Sequence, residues 1–167
     1  MNASNTLDAL DSLSARIGAW LAERGWSLAT AESCTGGWIA TTVTATAGSS
    51  EWFDRGFVSY SNEAKQELLG VRAETLQRHG AVSEEVVREM ALGALARSRA
   101  DVAVAVSGIA GPGGATATKP LGTVCFAWAT RQGGLHSETR QLPGDRRAVR
   151  LTTVLHALDS LPQRCSA

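Results

Sequence analysis

Residues 101–106, DVAVAV, form a run in which every position after the first is Val or Ala. A strand with one face in water alternates apolar and polar residues, whereas a strand buried on both faces is apolar throughout. The run therefore predicts a strand that is covered on both sides. A segment rich in Gly, Pro and Thr, 107–120, follows it and predicts a long loop at the end of this strand.

Strands and helices alternate along the chain before this run. Apolar residues recur at helical spacing between Leu7 and Leu21, which predicts a first amphipathic helix. Ser61 and Ser83 are each suited to cap a following helix. The other predicted elements are a strand over 26–31, a helix over 36–46, a turn over 47–50, a strand over 56–60, and helices over 62–69 and from 84 to about 99.

Two strands and a last helix are predicted after the loop. Residues 121–130 and 135–142 flank RQGG at 131–134, which favours a β-hairpin, and the helix follows PGD at 143–145. Alternating elements followed by an antiparallel pair indicate an α/β fold, a three-layer α/β/α sandwich with a mixed, mostly parallel sheet. A chain of 167 residues is expected to form a single domain over 1–167.

Composition is that of a soluble globular protein, with 44% hydrophobic and 19% charged residues. The formal net charge of zero gives no electrostatic reason to expect a nucleic acid or a membrane as a partner. No apolar run reaches the length of a membrane span. The three cysteines show neither a disulfide framework nor metal-ligand spacing. We therefore expect a cytoplasmic protein without a bound metal.

The segment TAESCTGG, residues 30–37, contains a candidate nucleophile, Ser33, between a predicted strand and a predicted helix. Ligand sites of open α/β sheets lie at the carboxyl ends of the strands. Backbone N–H groups at the start of the helix could bind a phosphate or an oxyanion, and they belong to Cys34, Thr35, Gly36 and Gly37. Alternatively, a hydroxyl of this segment only caps the helix. Cys34 is the rival nucleophile.

A serine nucleophile needs a base, and Lys65 is the preferred candidate. It is one of two lysines among sixteen basic residues, and unlike arginine it can lose its proton when desolvated. Tyr60, the only tyrosine, could relay the proton between Ser33 and Lys65. The alternatives are a surface lysine and an ordinary strand aromatic. None of the three histidines is placed as a catalytic triad requires; they are His79, His136 and His156.

Two further segments could contact a ligand. Residues 107–114, SGIAGPGG, allow close backbone approach but match neither a P-loop nor a dinucleotide-binding pattern. Residues 144–147, GDRR, open the last helix, where an arginine can grip a phosphate or carboxylate with two parallel hydrogen bonds. A solvated helix start is the alternative.

These segments together resemble the CinA C-terminal domain family. The matching motifs, in chain order, are TAESCTGG at 30–37, GSS at 48–50, GFVSYSNEAK at 56–65, HGAVS at 79–83, SGIAGP at 107–112, KPLGTV at 119–124 and GDR at 144–146. The resemblance spans about residues 7 to 161. It implies a three-layer α/β/α sandwich and, for the stand-alone form, a nicotinamide-nucleotide amidase. That enzyme converts nicotinamide mononucleotide (NMN) to nicotinic acid mononucleotide and ammonia, in the recycling of pyridine nucleotides.

The resemblance also implies roles for individual residues. Ser33, Tyr60 and Lys65 match the family's catalytic serine, tyrosine and lysine. The binding residues it implies are Ser107, Gly108 and Arg147. No cofactor is implied, and the expected partner is the small-molecule substrate, in a possible homo-oligomer. Gly113 and Thr118 stand where many members carry acidic residues, which puts a role for that part of the loop in doubt.

Two other functions remain open from the sequence. The first is a nucleotide-binding or regulatory module with little catalysis. The second is a Ser-Lys amidase that acts on another amide.

Overall fold

The valine and alanine run lies at the centre of a five-stranded sheet in the order β2-β1-β3-β4-β5. The structure is a computed structural model that describes residues 3–166. Its strands are β1 (Leu28–Glu32), β2 (Phe53–Val58), β3 (Val102–Gly108), β4 (Thr123–Thr130) and β5 (Leu135–Gln141). Its helices are α1 (Ala3–Ala22), α2 (Trp38–Thr44), α3 (Asn62–Leu69), α4 (Ala73–His79), α5 (Glu84–Ala96), α6 (Arg146–Asp159) and α7 (Leu161–Arg164).

The sheet is mixed, as predicted. Strand β1 pairs in parallel with β2 and β3, and β4 pairs antiparallel with β3 and β5. Parallel pairings therefore do not predominate, because two are parallel and two are antiparallel. The antiparallel pairing of β4 with β5 follows from the short hairpin at 131–134, since a connection of this length cannot return the chain for a parallel pairing.

The alternation of Val and Ala in β3 matches the two faces of the sheet. Val102, Val104 and Val106 belong to the core formed with α1, α2, α6 and α7. Ala103 and Ala105 belong to the core formed with α3, α4 and α5. Successive side chains of a strand point to opposite faces, so one strand supplies both cores. The predicted α/β/α sandwich is confirmed.

Several boundaries differ from the predictions. Helices α4 and α7 and a 3-10 turn at Ser49–Glu51 were not predicted from the sequence. Strand β2 begins at Phe53 and ends at Val58, earlier than predicted. Helix α2 begins at Trp38, because Gly36 and Gly37 adopt left-handed backbone angles, with φ of 62° and 96°. Residues 1, 2 and 167 lie outside the described residues, so a single domain over 1–167 stays a prediction.

Two features are absent from residues 3–166. No helix in this range is long and apolar enough to cross a membrane. The same residues contain no group of three or more His, Cys, Asp or Glu side chains arranged to hold a metal ion.

Candidate active site

A pocket of about 200 Å³ opens where β1 and β3 end. It is lined by Ser33, Cys34, Tyr60, Lys65, Ala81, Val82, Ser107, Gly108, Ala110 and Arg146. Ser33 directly follows β1, and its N–H donates to the carbonyl oxygen of Val106 in β3 at 3.1 Å. The pocket therefore lies at the carboxyl edge of the parallel strands, where ligands bind in open α/β sheets. A larger cavity of about 510 Å³ lies beside the 79–83 loop and contains neither Ser33 nor Lys65.

Lys65 contacts Ser33 directly inside this pocket. The Lys65 Nζ atom lies 3.1 Å from Ser33 Oγ, and the lysine is only 1% exposed. Its other contacts are the backbone carbonyl oxygens of Ser59, at 2.9 Å, and Tyr60, at 3.1 Å. Among residues 3–166, no carboxylate forms a salt bridge with Lys65. The structure thus brings the predicted nucleophile and base together.

Burial favours the neutral form of Lys65. Desolvation lowers the pKa of the Lys65 amine below its ordinary 10.5, and the nearby Cys34 thiol opposes this shift to a smaller extent. Helix α3, which carries Lys65, begins at Asn62 and is capped by the Ser61 hydroxyl, which accepts from the Ala64 N–H. The lysine lies in the first turns of the helix, as the sequence predicted.

Cys34 lies in the pocket but is a poor nucleophile there. The residue is 5% exposed, and burial raises the pKa of its thiol to about 12, with a smaller contribution in the same direction from Glu32. The reactive form of a cysteine is the thiolate, so this environment keeps the group inert. The geometry favours Ser33 over its rival.

The start of α2 is not available to a ligand, contrary to the sequence-based expectation. Glu32 accepts hydrogen bonds there from the N–H groups of Gly37, Ile39 and Ala40. The Gly36 N–H donates to the Ser33 carbonyl oxygen. Thr35, Gly36 and Gly37 do not line the pocket. The Thr35 hydroxyl and the N–H groups of Gly36 and Gly37 instead form hydrogen bonds within the turn that carries Ser33.

Tyr60 contributes to the pocket differently from the predicted relay. Its side chain is exposed, at 62%, and the hydroxyl lies 3.4 Å from Arg146 Nη2. The contact with Lys65 comes from the Tyr60 backbone carbonyl. Because Ser33 and Lys65 touch directly, the structure places no tyrosine hydroxyl between them. The phenol instead stands at the rim, in reach of a bound ligand.

Ser107 and Gly108 line the pocket, as the family resemblance implied. The buried Ser107 hydroxyl donates to the carbonyl oxygen of Ala81 at 2.8 Å and so fixes the 79–83 loop. A side chain at position 108 would come within 3.2 Å of the Cys34 sulfur, and 2.7 Å of Val124. Glycine is therefore required by packing at the floor of the pocket.

Arg146, not Arg147, is the arginine of the pocket. Arg146 Nη1 donates to the Gly111 carbonyl oxygen at 2.8 Å, which holds the guanidinium beside the 107–112 loop. Arg147 lines two neighbouring cavities with Trp38 and Asp145. Successive residues of a helix point about 100° apart, so only one of the two can face the pocket. The GDRR motif indicated that an arginine contacts the ligand but could not show which of the two faces the pocket.

The remaining candidate residues lie outside the pocket. His79 contacts Glu85 and His156 contacts Glu138, both away from Ser33. His136 lies in β5, beside Trp128 of β4. The second lysine, Lys119, donates to the His79 carbonyl oxygen at 2.7 Å. No histidine of the described chain lines the pocket with Ser33, which leaves Lys65 as the basic partner.

Comparison with known proteins identifies the family of this chain. The CinA C-terminal domain family matches residues 10–165. The chain belongs to this family. A protein from Escherichia coli K12 named "Nicotinamide-nucleotide amidohydrolase PncC" is 56% identical over 152 residues, which cover 91% of this chain and 92% of the relative. A protein of the same name from Enterobacter agglomerans is 57% identical and covers 90% and 92% of the two chains.

Solved structures of similar proteins share the fold. A competence/damage inducible protein from Agrobacterium tumefaciens is 47% identical, with a TM-score of 0.91 over 95% of this chain and 96% of that one. A competence damage-inducible protein from Klebsiella pneumoniae is 45% identical, with a TM-score of 0.89 over 93% and 96%. The family resemblance predicted from the motifs is confirmed.

Proposed function

We propose that this chain is a nicotinamide-nucleotide amidase, which hydrolyses NMN to nicotinic acid mononucleotide and ammonia. The observation that carries the proposal is the buried contact of 3.1 Å between Ser33 Oγ and Lys65 Nζ, at the carboxyl edge of the sheet. The names of the 56% and 57% identical relatives support the same substrate. We further propose that the enzyme acts in the recycling of pyridine nucleotides, in the cytoplasm, without a cofactor.

The contacts of Lys65 suit a neutral amine acting as a base. A neutral amine has two N–H donors and one lone pair. The carbonyl oxygens of Ser59 and Tyr60 accept the two N–H groups, so the lone pair is directed at the Ser33 hydroxyl. The same two carbonyls stabilise the ammonium that forms when Lys65 takes the proton. Lys65 thus accepts the proton as Ser33 Oγ attacks the carboxamide carbon.

The remaining steps return the proton. The tetrahedral intermediate collapses when Lys65 gives its proton to the amide nitrogen, the C–N bond breaks and ammonia leaves. Ser33 then carries the nicotinoyl group as an ester. Water attacks this ester, with Lys65 accepting its proton and returning it to Ser33 Oγ as the carboxylic acid leaves. The proton transfers involve only Ser33, Lys65, water and the substrate itself.

The oxyanion must find its donors near Ser33. The N–H groups of Gly36 and Gly37 are already used within the turn, so they are excluded. The Cys34 N–H belongs to the residue directly after the nucleophile, and within residues 3–166 it donates to no backbone oxygen. We propose it as one donor. A single donor of this kind typically lowers the barrier by about 3–4 kcal/mol.

The pocket suits the nicotinamide end of the substrate. Its volume of about 200 Å³ is smaller than the roughly 300–1,000 Å³ of sites that enclose a whole drug-sized ligand. The phosphate must therefore lie outside, toward the rim. Arg146 is the guanidinium at that rim, and arginine pairs readily with phosphate. We propose that Arg146 binds the phosphate and that Tyr60 contacts the ribose or ring.

An ammonia-release assay on NMN tests the proposal. Ser33→Ala should remain folded and lose nearly all activity, whereas Cys34→Ala should keep most of it, since its thiol is protonated and inert. Nicotinamide and NAD should be poorer substrates than NMN. If the wild-type enzyme releases no ammonia from NMN, the chain is a binding module or acts on another amide, and activity in Ser33→Ala would disprove the nucleophile.

A further inference from the structure

Glu32 is a fully buried acidic residue beside the proposed catalytic pair. It is the last residue of β1, and its side chain is 0% exposed. Its carboxylate accepts hydrogen bonds at 2.6 Å from the Thr35 hydroxyl and at 2.8–3.1 Å from the backbone N–H groups of Gly37, Ile39 and Ala40. The Thr30 hydroxyl makes a longer contact, at 3.4 Å.

This set of hydrogen-bond partners is unusual for a buried carboxylate, because it contains no basic side chain. Buried carboxylates are normally paired with a basic side chain, yet Glu32 forms no salt bridge within residues 3–166. The nearby Arg150 donates instead to the carbonyl oxygens of Cys34 and Thr35. The carboxylate oxygens of Glu32 therefore accept nearly all their hydrogen bonds from the segment 35–40, which follows Ser33. A carboxylate suits this use because both of its oxygens only accept.

The backbone of Glu32 reaches the other half of the pair. Its carbonyl oxygen accepts from the Ser59 N–H at 2.8 Å, and the Ser59 carbonyl oxygen accepts from Lys65 Nζ at 2.9 Å. Glu32 thus contacts the turn that carries Ser33 through its side chain, and the residue that orients Lys65 through its backbone. The two groups are brought together across 32 residues of sequence.

We propose that Glu32 is a positioning residue for the Ser33 and Lys65 pair. Its carboxylate holds the 33–37 turn in the conformation that places Ser33 Oγ 3.1 Å from Lys65 Nζ. Glu32 itself does not line the pocket, so it acts on the reaction only through this geometry. The kinetic test of this proposal rests on the proposed function, whereas covalent labelling of Ser33 tests the positioning of the pair independently of NMN.

Glu32→Gln keeps the shape of the side chain and tests the carboxylate. The amide NH₂ would replace one acceptor oxygen and face N–H donors, so the turn must shift. We expect kcat for NMN to fall by about 100-fold, as for a displacement of about 1 Å in an active site, while KM changes by less than about threefold. Binding is largely spared because the substrate contacts come from other residues.

Two substitutions at Thr35 form a matched pair that tests the hydrogen bond between the Thr35 hydroxyl and Glu32. They change the turn less than Glu32→Gln does. Thr35→Val removes the hydroxyl that donates to Glu32 and keeps the shape, whereas Thr35→Ser keeps the donor. We expect kcat to fall about tenfold in the Val variant and to stay within about threefold of wild type in the Ser variant. This pair keeps the test valid if Glu32→Gln does not fold.

Ile17→Val controls for loss of stability alone. Ile17 is fully buried in α1, a helix that contributes no residue to the pocket, so the shorter side chain leaves a small cavity outside the Glu32 contacts. Its Tm should fall, while kcat at a temperature well below Tm should match wild type. A purely structural role for Glu32 would make the Gln variant behave in the same way.

A fluorophosphonate probe reads the pair without NMN. Ser33 Oγ forms a bond to phosphorus, the P–F bond breaks, fluoride leaves and Lys65 accepts the Ser33 proton. The rate constant of labelling should fall in Glu32→Gln and Thr35→Val in parallel with kcat, and stay unchanged in Ile17→Val. If wild type is labelled at Ser33 but releases no ammonia from NMN, the proposed function fails and the labelling rates still test the positioning role.

Three results would overturn the proposal. The first is wild-type kcat and labelling rate in folded Glu32→Gln. The second is an equal loss in Thr35→Ser and Thr35→Val. The third is a wild-type protein that neither labels at Ser33 nor hydrolyses NMN, because there would then be no catalytic pair to position.

Discussion

At the scale of single residues, the protonation state of Lys65 governs the proposed chemistry. Arginine at this position would retain a positive charge and hydrogen-bond donors but has no lone pair to accept a proton. We therefore expect Lys65→Arg to be nearly as inactive as Lys65→Ala in ammonia release from NMN. The wild-type kcat/KM should rise with pH as the buried amine loses its proton. Substantial activity in Lys65→Arg would mean that the residue supplies only charge.

The lowered pKa of Lys65 also predicts a dependence of stability on pH. In the window between the lowered folded-state pKa and the unfolded value of about 10.4, the unfolded chain binds more protons at this site, so stability rises with pH. Below that window the buried charge is fully destabilising, and above it the cost is absent. The free energy of unfolding of Lys65→Met relative to wild type should therefore decrease as pH rises through this window. Urea denaturation at several pH values measures it, and a pH-independent difference would contradict the shift.

At the scale of elements, the contact between α3 and α5 fixes the helix that carries Lys65. A Cβ atom at Gly93 of α5 would lie 1.9 Å from the Leu69 carbonyl oxygen, at the end of α3. Gly93→Ala must push the helices apart and should lower the free energy of unfolding by about 1–3 kcal/mol. Because α3 moves, amidase activity should fall as well.

Gly113→Ala is the matched control for this change. Position 113 lies in the exposed loop, and an added Cβ would meet no atom within 4 Å. The same substitution there should change the free energy of unfolding by less than about 0.5 kcal/mol and leave kcat unaltered. Equal effects of the two substitutions in chemical denaturation would show that helix packing is not the cause.

At the scale of the whole molecule, Arg146 joins parts of the chain that are far apart in sequence. It extends from the first turn of α6 to the Gly111 carbonyl oxygen and the Tyr60 hydroxyl. Arg146→Ala should raise KM for NMN by about tenfold or more, the effect of losing a hydrogen bond to a charged group. Arg147→Ala should change KM less than about threefold, since its side chain lies outside the pocket. Steady-state kinetics of the two variants measure both effects. A larger increase of KM in Arg147→Ala than in Arg146→Ala would mean that Arg147 binds the phosphate.

Much of the architecture follows from local sequence. The Val and Ala run of β3 predicts burial on both faces, and the structure confirms this, with the valines in one core and the alanines in the other. The hairpin at 131–134 and the caps Ser61 and Ser83 are also local signals, and each is confirmed. Helix α4 was missed because it has only seven residues and lacks a side-chain cap. Short elements of this kind are stabilised by packing more than by propensity.

The candidate site also combines residues that the sequence predicts with contacts that only the structure shows. Ser33 and Lys65 could be selected as candidates from residue type and position, because Ser33 lies between a predicted strand and a predicted helix and Lys65 is one of only two lysines. The burial of Lys65 and its contact with Ser33 were visible only in the tertiary structure. Tertiary structure alone showed that Glu32 occupies the start of α2, that Arg146 and not Arg147 faces the pocket, and that the Tyr60 hydroxyl stands away from the pair. The physical reason is that these outcomes depend on side-chain direction and on contacts between distant segments, such as residue 146 with residue 111. Periodicity and motif spacing carry no information about such contacts.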